Sequence, residues 1–405
     1  MMRSVFLTCL TIVLVPGSAK AAEMQVNVRT ASDQKNAAVA ANAAGDSVIV
    51  WASYYSTTGR SYDILARRLD WRGRFLGDEF PVNTATAGNQ NEPAAALDDQ
   101  GRCAIVWQGP GPDQEDIFLR LFDPNGHAVT GELLVNLAVA GRQLYPSVAV
   151  GGTGVFVVAW ESRETTAAGS RTVARFQLFD PNGSGLGGEV LVDTDSHDCR
   201  YPQVAMDGAG RFAVAWMRDR SVHPIVVRLF DAYGVPVTAP LQVNTTSISL
   251  VPQPALAMNS LGHFLIAWDG HRADAADIHA RCYDPTGVPR GEPFVVNTTR
   301  AGARQPRGAL SDANEFVVVW QYDTGDPNAG TEIAGRTFDP NGVPTGDQFA
   351  LNAYTREQQR YPDVAMAGDG SFLTVWESNG QDGSGYGIFA SLSPARRPAD
   401  PNQED

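Results

Sequence analysis

Lysine is almost missing from this 405-residue chain: it occurs only at Lys20 and Lys35, and arginine carries the rest of the positive charge. Acids outnumber bases, the formal net charge is −14, and loss of an N-terminal segment carrying Arg3 and Lys20 takes it to about −16. A field of that sign repels phosphate backbones and anionic bilayers, so no nucleic-acid partner is expected. Beyond the N-terminus no stretch is continuously apolar for the roughly 20 residues a membrane helix needs, and no membrane insertion is expected. The run Ser4 to Val15 follows Arg3 and precedes Ala19-Lys20-Ala21, which is the pattern of a signal peptide over residues 1–21. The chain is therefore expected to be secreted, periplasmic or at the cell surface. Cys9 follows Thr8, where a lipidated cysteine wants a smaller neighbour, so no lipid anchor is expected.

Three cysteines lie beyond that segment, Cys103, Cys199 and Cys282, and an odd number cannot all pair with one another. Cys103 reads as a small core residue. Cys282 stands where other copies of the repeat described below carry leucine, and Cys199 falls in a loop as the one candidate for a reactive thiol. His-Glu-x-x-His, Cys-x-x-Cys and Gly-x-Ser-x-Gly are all absent, as is a Ser-x-Asp-x-Gly-x-Thr-Trp turn, so the sequence assigns no catalytic residue and no cofactor. His271 and His279 share a region with Asp269, Asp274 and Asp277 and read as solvated loop charges. Asp326, Asn328 and Glu332 alternate around Gly330, a spacing at which oxygen ligands hold calcium weakly, although a polar turn explains them more simply.

What is abundant is repetition. Tryptophan recurs at Trp51, Trp107, Trp160, Trp216, Trp268, Trp320 and Trp376, at spacings of 56, 53, 56, 52, 52 and 56. Each closes an apolar run such as Phe156-Val-Val-Ala-Trp160, dense in the β-branched and aromatic residues of a buried strand. Six residues earlier stands Gly45, Gly101, Gly154, Gly210, Gly262 or Gly370, with Asn314 in the sixth copy, which predicts a left-handed turn in all seven. Five residues before that comes an alanine, from Ala40 to Ala365, in a strand where space is tight. A third strand and an Asp-Pro-Asn-Gly type I turn follow, then a fourth strand ending in Val-Asn or a close variant.

Four strands per copy and no amphipathic-helix pattern predict an all-β, seven-bladed propeller over residues 22–392, with a disordered tail over 393–405. The last copy stops after its third strand, while Met24 to Val28 is a spare fourth strand. The N-terminal strand is therefore expected to complete the last blade and close the ring.

The repeat resembles one found in secreted and surface proteins of bacteria, with Pro-x-Val-Ala, Gly-x-Phe-Val-Val-x-Trp, Phe-Asp-x-x-Gly and Val-Asn-Thr elements. Gln381-Asp-Gly-Ser-Gly-Tyr-Gly-Ile-Phe-Ala390 matches best. The resemblance implies an integrin-like propeller, but the Asp-x-Asp-x-Asp-Gly calcium loops of integrins are missing here. Its motifs specify strands and turns rather than a reaction.

Connections after the tryptophan and after Val-Asn vary between copies, whereas the other two classes are short and uniform. In a four-stranded meander both variable classes emerge on one face, which is the expected binding face. Tyr145, Tyr201 and Tyr361 precede the innermost strands there, and Lys35, Arg200, Arg304 and Arg360 stand at the same level as a partial basic ring at the channel mouth. These seven residues are the candidate ligand contacts. The function expected from sequence is non-enzymatic recognition of a glycan or a protein by a monomer, with a hydrolase or lyase at the channel mouth as the alternative.

Overall fold

The apolar run that each repeat ends in tryptophan becomes the second strand of a blade. In the computed structural model these runs build seven four-stranded antiparallel sheets around a central channel. The structure describes residues 23–55, 61–138, 140–166, 169–195, 197–219, 223–244, 253–272, 275–298, 302–325 and 330–394, and no helix occurs among them. The innermost strands of blades 1 to 7 are Gln34–Ala41, Asn91–Leu97, Arg142–Val150, Cys199–Met206, Ala255–Met258, Arg304–Leu310 and Gln359–Met366. The predicted left-handed turn is present in every blade, from Gly45 at φ 91° to Asn314 at φ 62°.

Each tryptophan side chain faces the preceding blade and is at most 1% exposed. The apolar residues sort into seven cores, each lying between two neighbouring sheets. Trp107, for example, packs with Val50, Ile64 and Val82 of blade 1, and Trp51 packs with Val375 and Ile388 of blade 7. Burial thus holds blade to blade rather than strand to strand. Around the far end of the channel the blades also touch through backbone, as the N–H of Gly208 donates to the carbonyl of Ser260 (2.9 Å) and that of Gly368 to Ala43 (3.0 Å). A β-carbon at Gly152 would lie 2.8 Å from the carbonyl oxygen of Gly208, so that position has room only for glycine.

Arginine does what lysine cannot in the third strands. Arg67, Arg120, Arg228, Arg281 and Arg336 each donate through Nη1 to the carbonyl of Val26, Val82, Val192, Val243 or Val296 in the blade before. In all five, Nε serves a second carbonyl within the same blade. A flat fork with several fixed donors can bridge two blades in this way; a single ammonium on a flexible stem fits it poorly.

The Val-Asn motif acts as a clasp. Asn136 Oδ1 accepts the buried N–H of Ile117 at 2.8 Å, while its Nδ2 donates to Asp116 Oδ1 (2.7 Å) and to the carbonyl of Ala138 (3.0 Å). The same acceptor geometry recurs at Asn27, Asn83, Asn244, Asn297 and Asn352. Asp193 takes this position in blade 3 and pairs instead with Arg218 at 2.7 Å. Asn136→Ala strands a buried donor beside a buried carboxylate and is expected to cost about 2 to 4 kcal/mol in chemical denaturation. The same change at an exposed turn residue, Asn125, is expected to cost under about 0.5 kcal/mol.

The ring closes as the sequence predicts. Glu23–Gln25 pairs antiparallel with Phe389, Ala390 and Ser391 as the outer strand of blade 7, and Val26 and Asn27 continue the contact through the carbonyl and N–H of Ile388, each at 2.8 Å. Two expectations change. Ser393 belongs to the last strand rather than to a tail, and residues 395–405 lie outside the described residues, as do residues 1–22, which include the expected signal over 1–21. Cys199 is not in a loop: it opens the innermost strand of blade 4, is fully buried, and its thiol is pushed up to about 12 by burial and by the Asp193 charge. A thiol so far from ionisation is not a nucleophile.

Candidate functional site

The mouth of the channel is built by one backbone irregularity repeated around the ring. In six blades the register between the innermost and second strands shifts, between Lys35 and Ala38, Asn91 and Ala94, Leu144 and Ser147, Arg200 and Gln203, Arg304 and Arg307, and Arg360 and Asp363. At each shift one residue is left-handed: Asn36 (φ 55°), Glu92 (48°), Tyr145 (52°), Tyr201 (52°), Gln305 (54°) and Tyr361 (50°). None is glycine, and a left-handed tyrosine costs on the order of 1 kcal/mol or more, so other contacts must hold the conformation. At four of the six, the side chain of the residue after the tryptophan of the preceding blade supplies them. The N–H of Tyr145 donates to Gln108 Oε1 (2.9 Å), Tyr201 to Glu161 Oε2 (3.3 Å), Tyr361 to Gln321 Oε1 (2.9 Å) and Asn36 to Glu377 Oε1 (2.7 Å).

These residues, with Gln253 of blade 5, line a cavity of about 560 Å³ whose wall also includes the apolar residues Val39, Val148, Val204, Leu256 and Val364. The rings of Tyr145 and Tyr201 lie 4.8 Å apart as one aromatic wall. Tyr361 is 44% exposed on the rim. The opposite end of the channel is a smaller cavity of about 180 Å³ bordered by turn residues such as Ala43, Gly152 and Gly208, with no aromatic side chain among its lining.

Charge at the mouth is mostly paired. Lys35 bonds Asp33 (2.9 Å) and the Tyr62 hydroxyl (3.1 Å), Arg360 bonds Glu377 (2.9 Å) and stacks on Tyr386, and Arg307 faces Asp363 at 3.7 Å. Burial raises the carboxyl groups of Glu377 and Asp363 above their usual range, with Arg360 and Arg307 opposing the rise. Among the described residues Glu92 accepts only from Asn36 Nδ2 (3.0 Å) and has no ion pair; burial first, and then the charge of Glu377, push it up to about 7.

Glu92 therefore holds a proton in the folded state at a pH where the unfolded chain, near 4.5, has lost it. Its contribution to stability is full below the unfolded value and falls as pH rises through about 7. Glu92→Gln keeps the acceptor for Asn36 and removes the charge. We expect the variant to melt above wild type at pH 8 and together with it at pH 4.5, as read by paired thermal melts.

Of the residues singled out from sequence, Lys35, Tyr145, Tyr201, Arg360 and Tyr361 come together at the mouth. Arg200 turns away to Asp219 (3.1 Å) and lines a neighbouring groove, and Arg304 lines neither cavity. Asp326 and Asn328 lie outside the described residues; Glu332 is buried in a strand and accepts from the Tyr322 hydroxyl at 3.3 Å. Among the described residues no group of three or more His, Cys, Asp or Glu side chains is arranged to hold a metal ion. Sequence reasoning missed Glu92, Gln253, Gln305, Arg307, Asp363 and Glu377. A signal was there: Gln108, Glu161, Gln321 and Glu377 each follow a tryptophan, and Pro93, Pro146, Pro306 and Pro362 each follow a left-handed residue.

No protein-family model matches the chain, and no curated protein matches it. Among solved structures, a protein of unknown function from Dyadobacter fermentans DSM 18053 superposes with a TM-score of 0.55 at 9% identity, covering 94% of this chain and 100% of that one. The intramolecular trans-sialidase from Ruminococcus gnavus, in complex with oseltamivir carboxylate, superposes with a TM-score of 0.51 at 7% identity, again covering 94% of this chain and 100% of that one. At such identities the likeness is one of fold, and the chain is similar to these proteins as a complete propeller.

Proposed function

We propose that the channel mouth is a saccharide-binding site and that the protein is a secreted binding propeller. One observation carries the reading: three tyrosines and the amides of Asn36 and Gln305, all at left-handed positions, surround a single cavity with the amide of Gln253. Aromatic faces cover the C–H faces of sugar rings, and fixed amides pair with hydroxyls, so this composition suits a polar ligand with apolar faces. The repeat's resemblance to those of secreted and surface proteins supports the location, as does the signal pattern over residues 1–21. The superposition on a trans-sialidase is compatible with a saccharide ligand but rests on fold alone.

The alternative, a hydrolase or lyase, draws on Glu92, whose carboxyl near 7 is suited to a general acid. Glycoside hydrolysis ordinarily needs a second carboxylate free to act as base or nucleophile. Glu377 spends its oxygens on Asn36 and Arg360, and Asp363 on Val39 and Arg307. Binding is therefore the better reading. A glycan array probed with the purified protein, followed by product analysis of every hit, tests it. We expect bound glycans to be recovered intact, and chain cleavage that disappears in Glu92→Gln would replace binding with catalysis.

A further inference from the structure

Beside the mouth, on the same face, a groove of about 330 Å³ is lined by Arg142, Arg163, Arg171 and Arg200. We propose that this groove is a second subsite for the carboxylate or sulfate groups of an acidic oligosaccharide whose end lies in the channel mouth. The inference rests on the reading of the mouth as a saccharide site.

Three observations carry it. First, Arg142 and Arg163 stand directly opposite each other in the pairing of the first two strands of blade 3. Like charges at such positions are unfavourable, and a bound anion between them relieves the repulsion. Second, carboxylates hold two of the arginines from one side only. Glu115 takes Nε and Nη2 of Arg142 at 2.7 and 2.9 Å, and the buried Glu161 takes Nε of Arg163 at 2.9 Å. The two arginine side chains remain 42% and 36% exposed, oriented by their carboxylates yet open to solvent. Arg171 has no ion pair among the described residues; it donates through Nη2 to the carbonyl of Asp195, and its buried Nε has no hydrogen-bond partner. Of the groove's own acids, Glu164 pairs with Arg175, while Asp198 accepts the N–H of Thr172 and lies 3.9 Å from Arg200, which leaves Arg142, Arg163 and Arg171 as the groove's donors. Third, groove and mouth are joined. Glu161 holds Arg163 by one oxygen and the left-handed Tyr201 by the other, and Arg200 and Tyr201 are chain neighbours. A chain leaving the tyrosine wall toward blade 3 meets arginine donors, which bind carboxylates and sulfates in a forked geometry.

The test uses oligosaccharide pairs that differ only in charge: tetragalacturonate with its methyl ester, and a chondroitin sulfate tetrasaccharide with its desulfated form. Titrations compare the wild type, Arg142→Gln with Arg171→Gln, and Tyr145→Ala. Arg163 is left in place because its loss would strand buried Glu161. We expect the wild type to prefer the more highly charged member of a pair by about tenfold or more. The arginine double variant should lose that preference while keeping its affinity for the less charged member. The wild-type preference should also fall steeply between 50 and 300 mM salt, a readout that needs no variant. Equal binding of both members, or a preference that survives both the arginine substitutions and high salt, overturns the groove and leaves the mouth standing. Binding that survives Tyr145→Ala but follows the arginines overturns the saccharide mouth, and with it the two-part site. Failure of the wild type to bind any of the four overturns both.

Discussion

Removing residues 22–30 is expected to lower the melting temperature by on the order of 10 °C or more and to promote self-association. The segment supplies the outer strand of blade 7, so its loss leaves Tyr386–Ser393 with an open edge. It also removes Val26, which is fully buried in the core between blades 7 and 1 and is worth about 1.5 to 3 kcal/mol as burial alone. Asn27 leaves with it, stranding the N–H of Ile388, and Arg67 loses the Val26 carbonyl at 2.7 Å. Blades 7 and 1 stay in contact through the Gly368 to Ala43 bond between their turns and through Asp363, whose Oδ2 accepts the N–H of Val39 at 2.9 Å. The ring should thus be weakened at one joint rather than abolished. Calorimetry with light scattering checks both parts, and an unchanged melt in a monomeric variant would contradict the closure.

The second large effect is expected in binding. Tyr145→Ala with Tyr201→Ala removes the aromatic wall, while the side-chain acceptors Gln108 and Glu161 that hold the backbone N–H of both positions remain. Alanine also carries less steric strain in a left-handed conformation than a bulky aromatic, so fold loss is not anticipated. If a sugar ring stacks there, each anchor is worth about 1 to 3 kcal/mol, and the pair should weaken binding by roughly a hundredfold. Comparable changes in the Asp-Pro-Asn-Gly turns, at Asn125 or Asn341, lie on the opposite side of the blades and should leave affinity within about twofold. Loss of binding in the turn variants, with affinity intact in the tyrosine pair, would mean that the other face carries the site.

The propeller was legible because its determinants are local. A turn six residues before Trp160 needs positive φ whatever the rest of the chain does, and Gly154 or Asn314 reports that directly. The closing strand was legible for a similar reason: a repeat missing its last strand, and a spare one at the other terminus, can be counted. Which face carries the variable loops was legible from loop lengths alone. The chemistry of the mouth was not legible, since its left-handed residues are held from another blade. Tyr145 depends on Gln108, and Asn36 on Glu377 at the other end of the chain. No local propensity marks such a residue, as tyrosine before proline normally reads as extended backbone. The basic ring was only half right for a related reason. Lys35 and Arg360 line the mouth, whereas Arg200 and Arg304 do not; Asp33, Asp219 and Glu377 take up the charge of Lys35, Arg200 and Arg360, and only the folded chain shows which acid reaches which base. Arg163, across the sheet from Arg142, stood in the middle of an unremarked strand until the register was known.

The central claim is that the strained ring at the channel mouth, rather than any other part of the propeller, holds a saccharide. The most direct measurement is a crystal structure of the protein with its tightest-binding oligosaccharide. The account predicts a sugar ring in van der Waals contact, about 3.5 to 4 Å, with Tyr145, Tyr201 or Tyr361, and a hydroxyl within hydrogen-bond reach of Glu92, Gln253 or Gln305. A saccharide seated at the opposite end, among Ala43, Gly152 and Gly208, or on the outer turns with the mouth empty, would contradict it.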